Sequence, residues 1–120
     1  MLLSLLKSKL HRAAVTGASL HYEGSLTIAS DLAEQVGLRI HERILVSNLA
    51  NGERFETYVI YAPAKSARIE LNGATAHLGQ IGDRLTIMSF GQVPEAEADA
   101  HRAKVLLLDE KNQVVRFETK

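Results

Sequence analysis

Along this chain apolar residues tend to recur at every second position, in short runs broken about every ten residues by turn-forming residues. That is the period of half-buried strands rather than of amphipathic helices. Residues 9–16 (KLHRAAVT) and 25–29 (SLTIA) read as strands on either side of a turn-like segment, GASLHYEG. Residues 43–49 (RILVSNL) and 54–62 (RFETYVIYA) read as a hairpin closed through Asn51-Gly52, a pair that tolerates positive φ at both turn positions. A second such pair, Asn72-Gly73, separates ARIEL from ATAHL, and Gly82-Asp83 precedes the strand 85–90, LTIMSF. Strands KVLLLDE and VVRFE finish the chain around a turn at Lys111 to Gln113. Two segments depart from the alternation. Asp31 and Glu34 have capping-box spacing, with Leu32, Ala33 and Val36 as an apolar face and Gly37 placed to end a helix. Pro94 opens the acidic run EAEADAHR, whose early Glu and late His and Arg suit the dipole of a second short helix. Roughly six to eight strands with about two short helices predict a mainly β domain, a barrel or a sandwich.

Composition narrows the function classes. A chain of 120 residues, 46% hydrophobic and 23% charged, is one compact domain with no second domain to form a cleft. Fourteen basic residues balance fourteen acidic ones, so the strong positive field that drives nucleic-acid binding is missing, and small molecules or further copies of the chain are the expected partners. The absence of Cys excludes disulfides, thiolate metal sites and a Cys nucleophile. The five His, at 11, 21, 41, 77 and 101, lack metal-ligand spacing, so no metal is expected, and no Gly-rich phosphate loop is present. The opening MLLSLL is too short for a secretory or spanning segment, which leads us to expect a cytoplasmic protein with no membrane partner.

What remains is a set of unlike residues on strands. Period two puts Lys9 and His11 on one sheet face about 7 Å apart, and Arg54 and Tyr58 on one face with Thr57 turned to the other. Two cations near a phenol suit a small dianionic substrate; the bland alternative is that Lys9 and Arg54 are solvated strand charges. In residues 21–25, HYEGS, the Gly24-Ser25 bond is open to attack by the serine's own hydroxyl if the turn is strained, because Gly24 leaves its carbonyl unhindered. Most Gly-Ser pairs are ordinary loop.

The runs KLHRAAVTGASLHYEGSLTI, NGERFETYVI, NGATAH and GDRLTIMSF, in this order from about Lys9 to about Asn112, resemble the aspartate 1-decarboxylase family of pyruvoyl-dependent enzymes. The resemblance implies a six-stranded double-psi β-barrel with short helices. It implies a proenzyme that cleaves itself between Gly24 and Ser25 into a β chain, residues 1–24, and an α chain, residues 25–120. The serine hydroxyl attacks the preceding carbonyl to give an ester, elimination leaves dehydroalanine, and hydrolysis releases ammonia and a covalent pyruvoyl group derived from Ser25. That ketone, condensed with the substrate amine, is the electron sink for decarboxylation of L-aspartate to β-alanine and CO2, a step toward pantothenate and coenzyme A. Homotetramers with sites at subunit interfaces, and maturation that is either spontaneous or assisted by a helper protein, belong to the same expectation.

Residue by residue, the resemblance assigns substrate carboxylates to Lys9 and Arg54, proton donation to Tyr58, a part in cleavage and substrate contact to Thr57, and a substrate-binding turn to Gly73, Ala74 and Thr75. His11, Tyr22 and Asn72 are further candidates for the site lining. Thr57 has the parity opposite to Tyr58, which a bulge or a second subunit could reconcile. The chain departs from the family's usual pattern at Leu3-Ser4-Leu5, at Ser19 where Asp is common, and at Thr75 where Ala is common. Two alternatives accompany this reading: a non-enzymatic double-psi barrel that acts as an interaction module, and the same chemistry on another small acidic amino acid.

Overall fold

The computed structural model describes residues 1–120. The strands are β1 (Leu2–Ala14), β2 (Gly17–Ser19), β3 (Ser25–Ala29), β4 (Arg43–Asn48), β5 (Arg54–Ala62), β6 (Ile69–Asn72), β7 (Arg84–Pro94), β8 (Lys104–Leu108) and β9 (Val114–Thr119). One short helix, α1 (Ser30–Gln35), follows β3, and 3₁₀ turns span Gly73–Leu78 and Glu95–Ala100. All nine strands join one sheet in the order β2-β6-β3-β5-β4-β7-β1-β8-β9. Three neighbouring pairs, β1–β8, β2–β6 and β3–β5, are parallel, and the rest are antiparallel. Hydrogen bonds do not close the sheet; the covalent chain does so, because β2 at one edge continues β1 through Val15 and Thr16, whose N–H groups donate to Asp83 and Ile69. With β1 and β2 counted as one strand and the β8–β9 hairpin set apart, six strands remain, consistent with a double-psi barrel.

The core follows the alternation. In β4, Ile44 and Val46 are buried while Arg43 is exposed and Leu45 and Ser47 are half-covered. Leu10, Leu26, Ile28, Val59, Ile69, Leu71, Leu85, Ile87, Leu106 and Leu108 complete the interior, each burial stabilising by about 1.5–3 kcal/mol. Strand β3 is buried at all five positions, so it is covered on both faces, including the one that carries Ser25 and Thr27. Asn112 clasps the end of β1: its side chain accepts from Ala14 N–H at 2.7 Å and donates to the Ala14 and Ala67 carbonyls at 2.9 Å.

Several local expectations are corrected. Strand β1 starts at Leu2 rather than at residue 9, because the apolar opening pairs with the far end of β7, Leu2 opposite Pro94. The segment read as a turn contains β2. No capping box forms: β3 runs straight into α1 with Ala29 at the N-cap, which leaves Asp31 inside the first turn, where it accepts from Lys65 N–H at 3.0 Å. Asn51-Gly52 is not a two-residue turn, since the loop spans residues 49–53 and only Gly52 has positive φ, at 75°. Asn51 instead accepts from Glu53 N–H and donates to the Leu78 carbonyl. ATAHL coils as the 3₁₀ turn Gly73–Leu78. The acidic run after Pro94 is likewise 3₁₀ and stops at Ala100, before His101.

Candidate active site

The exposed loop of residues 20–24 delivers the chain into β3, whose first residue, Ser25, is 1% exposed. Antiparallel pairing sets Ser25 opposite Asn72 at the end of β6. The buried Asn72 side chain donates Nδ2–H to the Ser25 hydroxyl at 3.0 Å and to the Thr27 hydroxyl at 2.8 Å, so both oxygens are held on one face of β3. Ser25 in turn donates to the Glu23 carbonyl over a long 3.4 Å. Gly73 follows with φ +67°, and a Cβ there would lie 2.8 Å from Gly24 Cα and 2.9 Å from both Gly24 N and Tyr22 O. A backbone this close to the Gly24-Ser25 segment admits no side chain at position 73. Thr75 turns its hydroxyl back to donate to the Asn72 carbonyl at 2.8 Å, while Ala74 is exposed. Beside this turn lies an open cleft of about 440 Å³ that Tyr22, Thr27 and Asn72 share with Gly17 to Ser19, Ile60 to Pro63, Arg68 and Glu70.

Tyr58 stands next to Ser25 in the sheet. Leu26 pairs with Val59 in the parallel β3–β5 ladder, so Ser25 and Tyr58 occupy the position before on each strand. The half-buried Tyr58 ring meets His41 edge-on at 5.9 Å. Thr57 faces the other way, opposite buried Ile44, and the β4–β5 register is unshifted, so no bulge brings Thr57 to the Tyr58 side.

Arg54, Lys9 and His11 share a more distant surface. Directly paired residues lie on the same sheet face, and Arg54 pairs with Ser47, Ser47 with Thr86, and Thr86 with His11. Arg54 and His11 thus point the same way, three strand spacings apart, about 14 Å along the sheet. The ion pairs of the molecule use Lys7, Arg43, Arg68, Arg116 and Lys120 as cations, and neither Lys9 nor Arg54 is among them. His11 has a buried, unpartnered Nδ1. Burial, and after it the cations Lys9, Arg12, Lys120 and Arg84, lower its pKa, so the imidazole is neutral at neutral pH.

The chain therefore gathers Ser25, Asn72, Gly73 and the Tyr22–Gly24 loop, with Tyr58 on the adjoining strand. It leaves Lys9 and His11 on β1, with β5, β4 and β7 between them and β3. Thr27, which shares the Asn72 amide with Ser25, carried no motif of its own and was legible only as the residue two positions on, on the same face. Arg116, Glu118 and Lys120, which line a pocket with Lys9 and His11, were invisible because the β1–β8 pairing joins residues far apart in sequence.

The profile of the family described as aspartate decarboxylase matches residues 1–115. An aspartate 1-decarboxylase of Maricaulis maris is 49% identical over 115 residues, covering 96% of this chain and 95% of that protein. One of Desulfotalea psychrophila is 50% identical over 114 residues, 95% of this chain and 96% of the relative. One of Caldicellulosiruptor saccharolyticus is 45% identical over all 120 residues and 94% of its own length. The buried serine behind an exposed glycine, the amide that holds it and the neighbouring phenol thus sit in a chain that belongs to the aspartate decarboxylase family.

Proposed function

We propose that this protein decarboxylates L-aspartate to β-alanine and CO2, a product used for pantothenate and coenzyme A, after it has cleaved itself between Gly24 and Ser25 and turned Ser25 into a pyruvoyl group. The observation that carries the reading is the Ser25 hydroxyl, buried and held by the Asn72 amide at the mouth of an exposed Gly-Ser loop. Attack of that hydroxyl on the Gly24 carbonyl exchanges an amide for an ester; elimination and hydrolysis then release residues 1–24 as a separate chain and ammonia. The residues present suit such a group, since the Asn72 amide donates to the Ser25 oxygen and the side-chain-free backbone of Gly73 lies against the Gly24 segment. The ketone so formed supplies the electron sink that loss of CO2 requires.

The chain's own residues do the rest. Lys9 and Arg54, cations without internal carboxylate partners, hold the two substrate carboxylates. Tyr58, beside Ser25, returns a proton to the carbon that lost CO2. The backbone of Gly73, Ala74 and Thr75 carries N–H groups toward the substrate, Tyr22 and His11 line the site, and Thr57, which faces away from Ser25 in its own chain, takes part in cleavage and substrate contact from a second copy. The separation of Lys9 from Ser25 within one protomer favours a homotetramer in which a neighbouring copy supplies the cations. No helix is long and apolar enough to cross a membrane, and we place the reaction in the cytoplasm.

Intact mass under denaturing conditions tests the proposal, together with an aspartate assay on the same protein. Two fragments divided at Gly24 and Ser25, the larger with a pyruvoyl end, and release of β-alanine are the expected results. A single full-length mass that persists with and without lysate of the source organism overturns the reading. Cleavage only with lysate identifies a helper.

A further inference from the structure

Strand β9 brings a second set of charges to the face that carries Lys9 and His11. The row that begins at Arg54 continues past His11 to Leu107 and Arg116, and the next row joins Lys9 to Val105 and Glu118. Two residues beyond Glu118, Lys120 falls on the same face. Around them is a pocket of about 230 Å³ lined by Lys9, His11, Arg116, Glu118 and Lys120 over a floor of Val105 and Leu107. Three cations meet a single carboxylate there. Glu118 serves two of the three, accepting from the Arg116 guanidinium and pairing with the Lys120 ammonium at 3.3 Å, while Lys9 stays unpaired. Glu118 is thus a carboxylate already seated among cations, beside an imidazole whose buried Nδ1 lacks a partner.

We propose that β9 completes the pocket for the carboxylate held by Lys9, in which Arg116 and Lys120 join Lys9 and His11, and Glu118 is the internal carboxylate that a bound substrate displaces. This rests on the reading of Lys9 as a carboxylate-holding residue and extends it to a strand that no motif marked. A planar guanidinium engages a carboxylate through two parallel bonds, and freeing it from Glu118 costs one ion pair and forms another, so the exchange is nearly balanced until Lys9 tips it. His11 contributes a hydrogen-bonding ring nitrogen. The proposed function requires this pocket to face the Ser25 of a neighbouring copy. In the plain alternative, Arg116, Glu118 and Lys120 form an exposed charge ladder on a solvated strand.

Calorimetric titration of the full protein with succinate, which has both carboxylates but no amine to react, separates the two. Arg116→Gln with Lys120→Gln should weaken succinate about tenfold or more, the usual effect of losing a charged partner, and Glu118→Gln should tighten it. In turnover the same changes should move KM for aspartate with kcat little altered, and self-cleavage, read by mass, should be unaffected. Restoring Arg116 alone should recover part of the affinity. No succinate binding by the unaltered protein, or an unchanged Kd in the double variant, overturns the proposal. Succinate affinity that follows this pattern in a protein that does not decarboxylate aspartate upholds the pocket and counts only against the proposed reaction.

Discussion

The side-chain amide of Asn72 reaches the Ser25 hydroxyl at 3.0 Å, a closer and better-placed partner than the Glu23 carbonyl at 3.4 Å. In the proposed self-cleavage, a donated N–H fixes the serine rotamer and stabilises the negative charge that attack would develop on the oxygen. Asn72→Ala leaves Ser25 buried with only its weak bond. Self-cleavage should slow by at least about tenfold, the effect of one hydrogen bond to a developing charge. A time course of intact mass gives the rate, and cleavage at the unaltered rate would remove Asn72 from maturation.

Gly73 and Gly52 form a matched pair for the next test. Both have positive φ, but a Cβ at 73 meets the Gly24 and Tyr22 backbone below 3 Å, whereas a Cβ at 52 meets nothing within 4 Å. Gly52→Ala should cost only the conformational strain, about 1 kcal/mol, and leave cleavage intact. Gly73→Ala must also push the Gly24-Ser25 segment aside, so it should lower the urea midpoint further and block cleavage. Equal behaviour of the two variants would show that the close approach at Gly73 is unimportant.

Much of this arrangement is legible in the residues. Alternation located β3, β4 and β5, and the turn residues Gly73 and Gly52 marked two of the positions that take positive φ. What stayed hidden depends on partners distant in sequence. The opening LLSLL is a strand only because β7 extends to Pro94 beneath it, and Asp31 fails as a cap only because β3 leads into α1 without a break. The same holds at the site. Lys9 with His11 and Arg54 with Tyr58 were each readable as same-face pairs by period two, but the two strands, β4 and β7, that separate them emerge only from the sheet order. Local periodicity reports the face and not the neighbour.

Tyr58 offers a separation of maturation from turnover. Its ring is on the strand beside Ser25, yet it makes no contact with the Asn72–Ser25–Thr27 cluster through hydrogen bonds. Tyr58→Phe should therefore cleave normally while kcat falls by about 10² to 10⁴, the range for a positioned acid. Near-normal kcat would take the phenol out of the reaction, and failure to cleave would tie it to maturation.

Acid should loosen the link between β1 and the segment after α1. Burial pushes the Glu42 carboxyl up, but the Lys7 ammonium and the Arg39 N–H outweigh it and hold the carboxyl below its ordinary value of 4.5. The Lys7 ammonium also donates to the Gly37 carbonyl at 2.7 Å. A depressed folded pKa means that the stabilisation is present above pH 4.5 and is lost as pH falls through the folded value. Lys7 is one-third exposed, 35%, so solvent screening keeps the effect small. Glu42→Gln should cost on the order of 1 kcal/mol near pH 7 and almost nothing near pH 3, measured by urea midpoints at the two pH values. The same loss at both pH values would mean that packing, not charge, carries the contribution.

Thr75 bears on which substrates fit. Its side chain adds a hydroxyl and a β-branch to a turn assigned to substrate, yet the residue is 8% exposed and its hydroxyl donates to Asn72 O at 2.8 Å. The group is therefore spent on the turn's own backbone, and the surface left to a ligand is main chain. Thr75→Ala should leave the preference for aspartate over glutamate and cysteine sulfinate unchanged and destabilise the fold by about 1 kcal/mol, the net value of one buried hydrogen bond. Thr75→Val, which keeps the branch and leaves the Asn72 carbonyl without its donor, should destabilise at least as much. A shift in substrate preference with either variant would make Thr75 a wall of the pocket, and the alternative of a different acidic amino acid would then gain the support that the inward hydroxyl denies it.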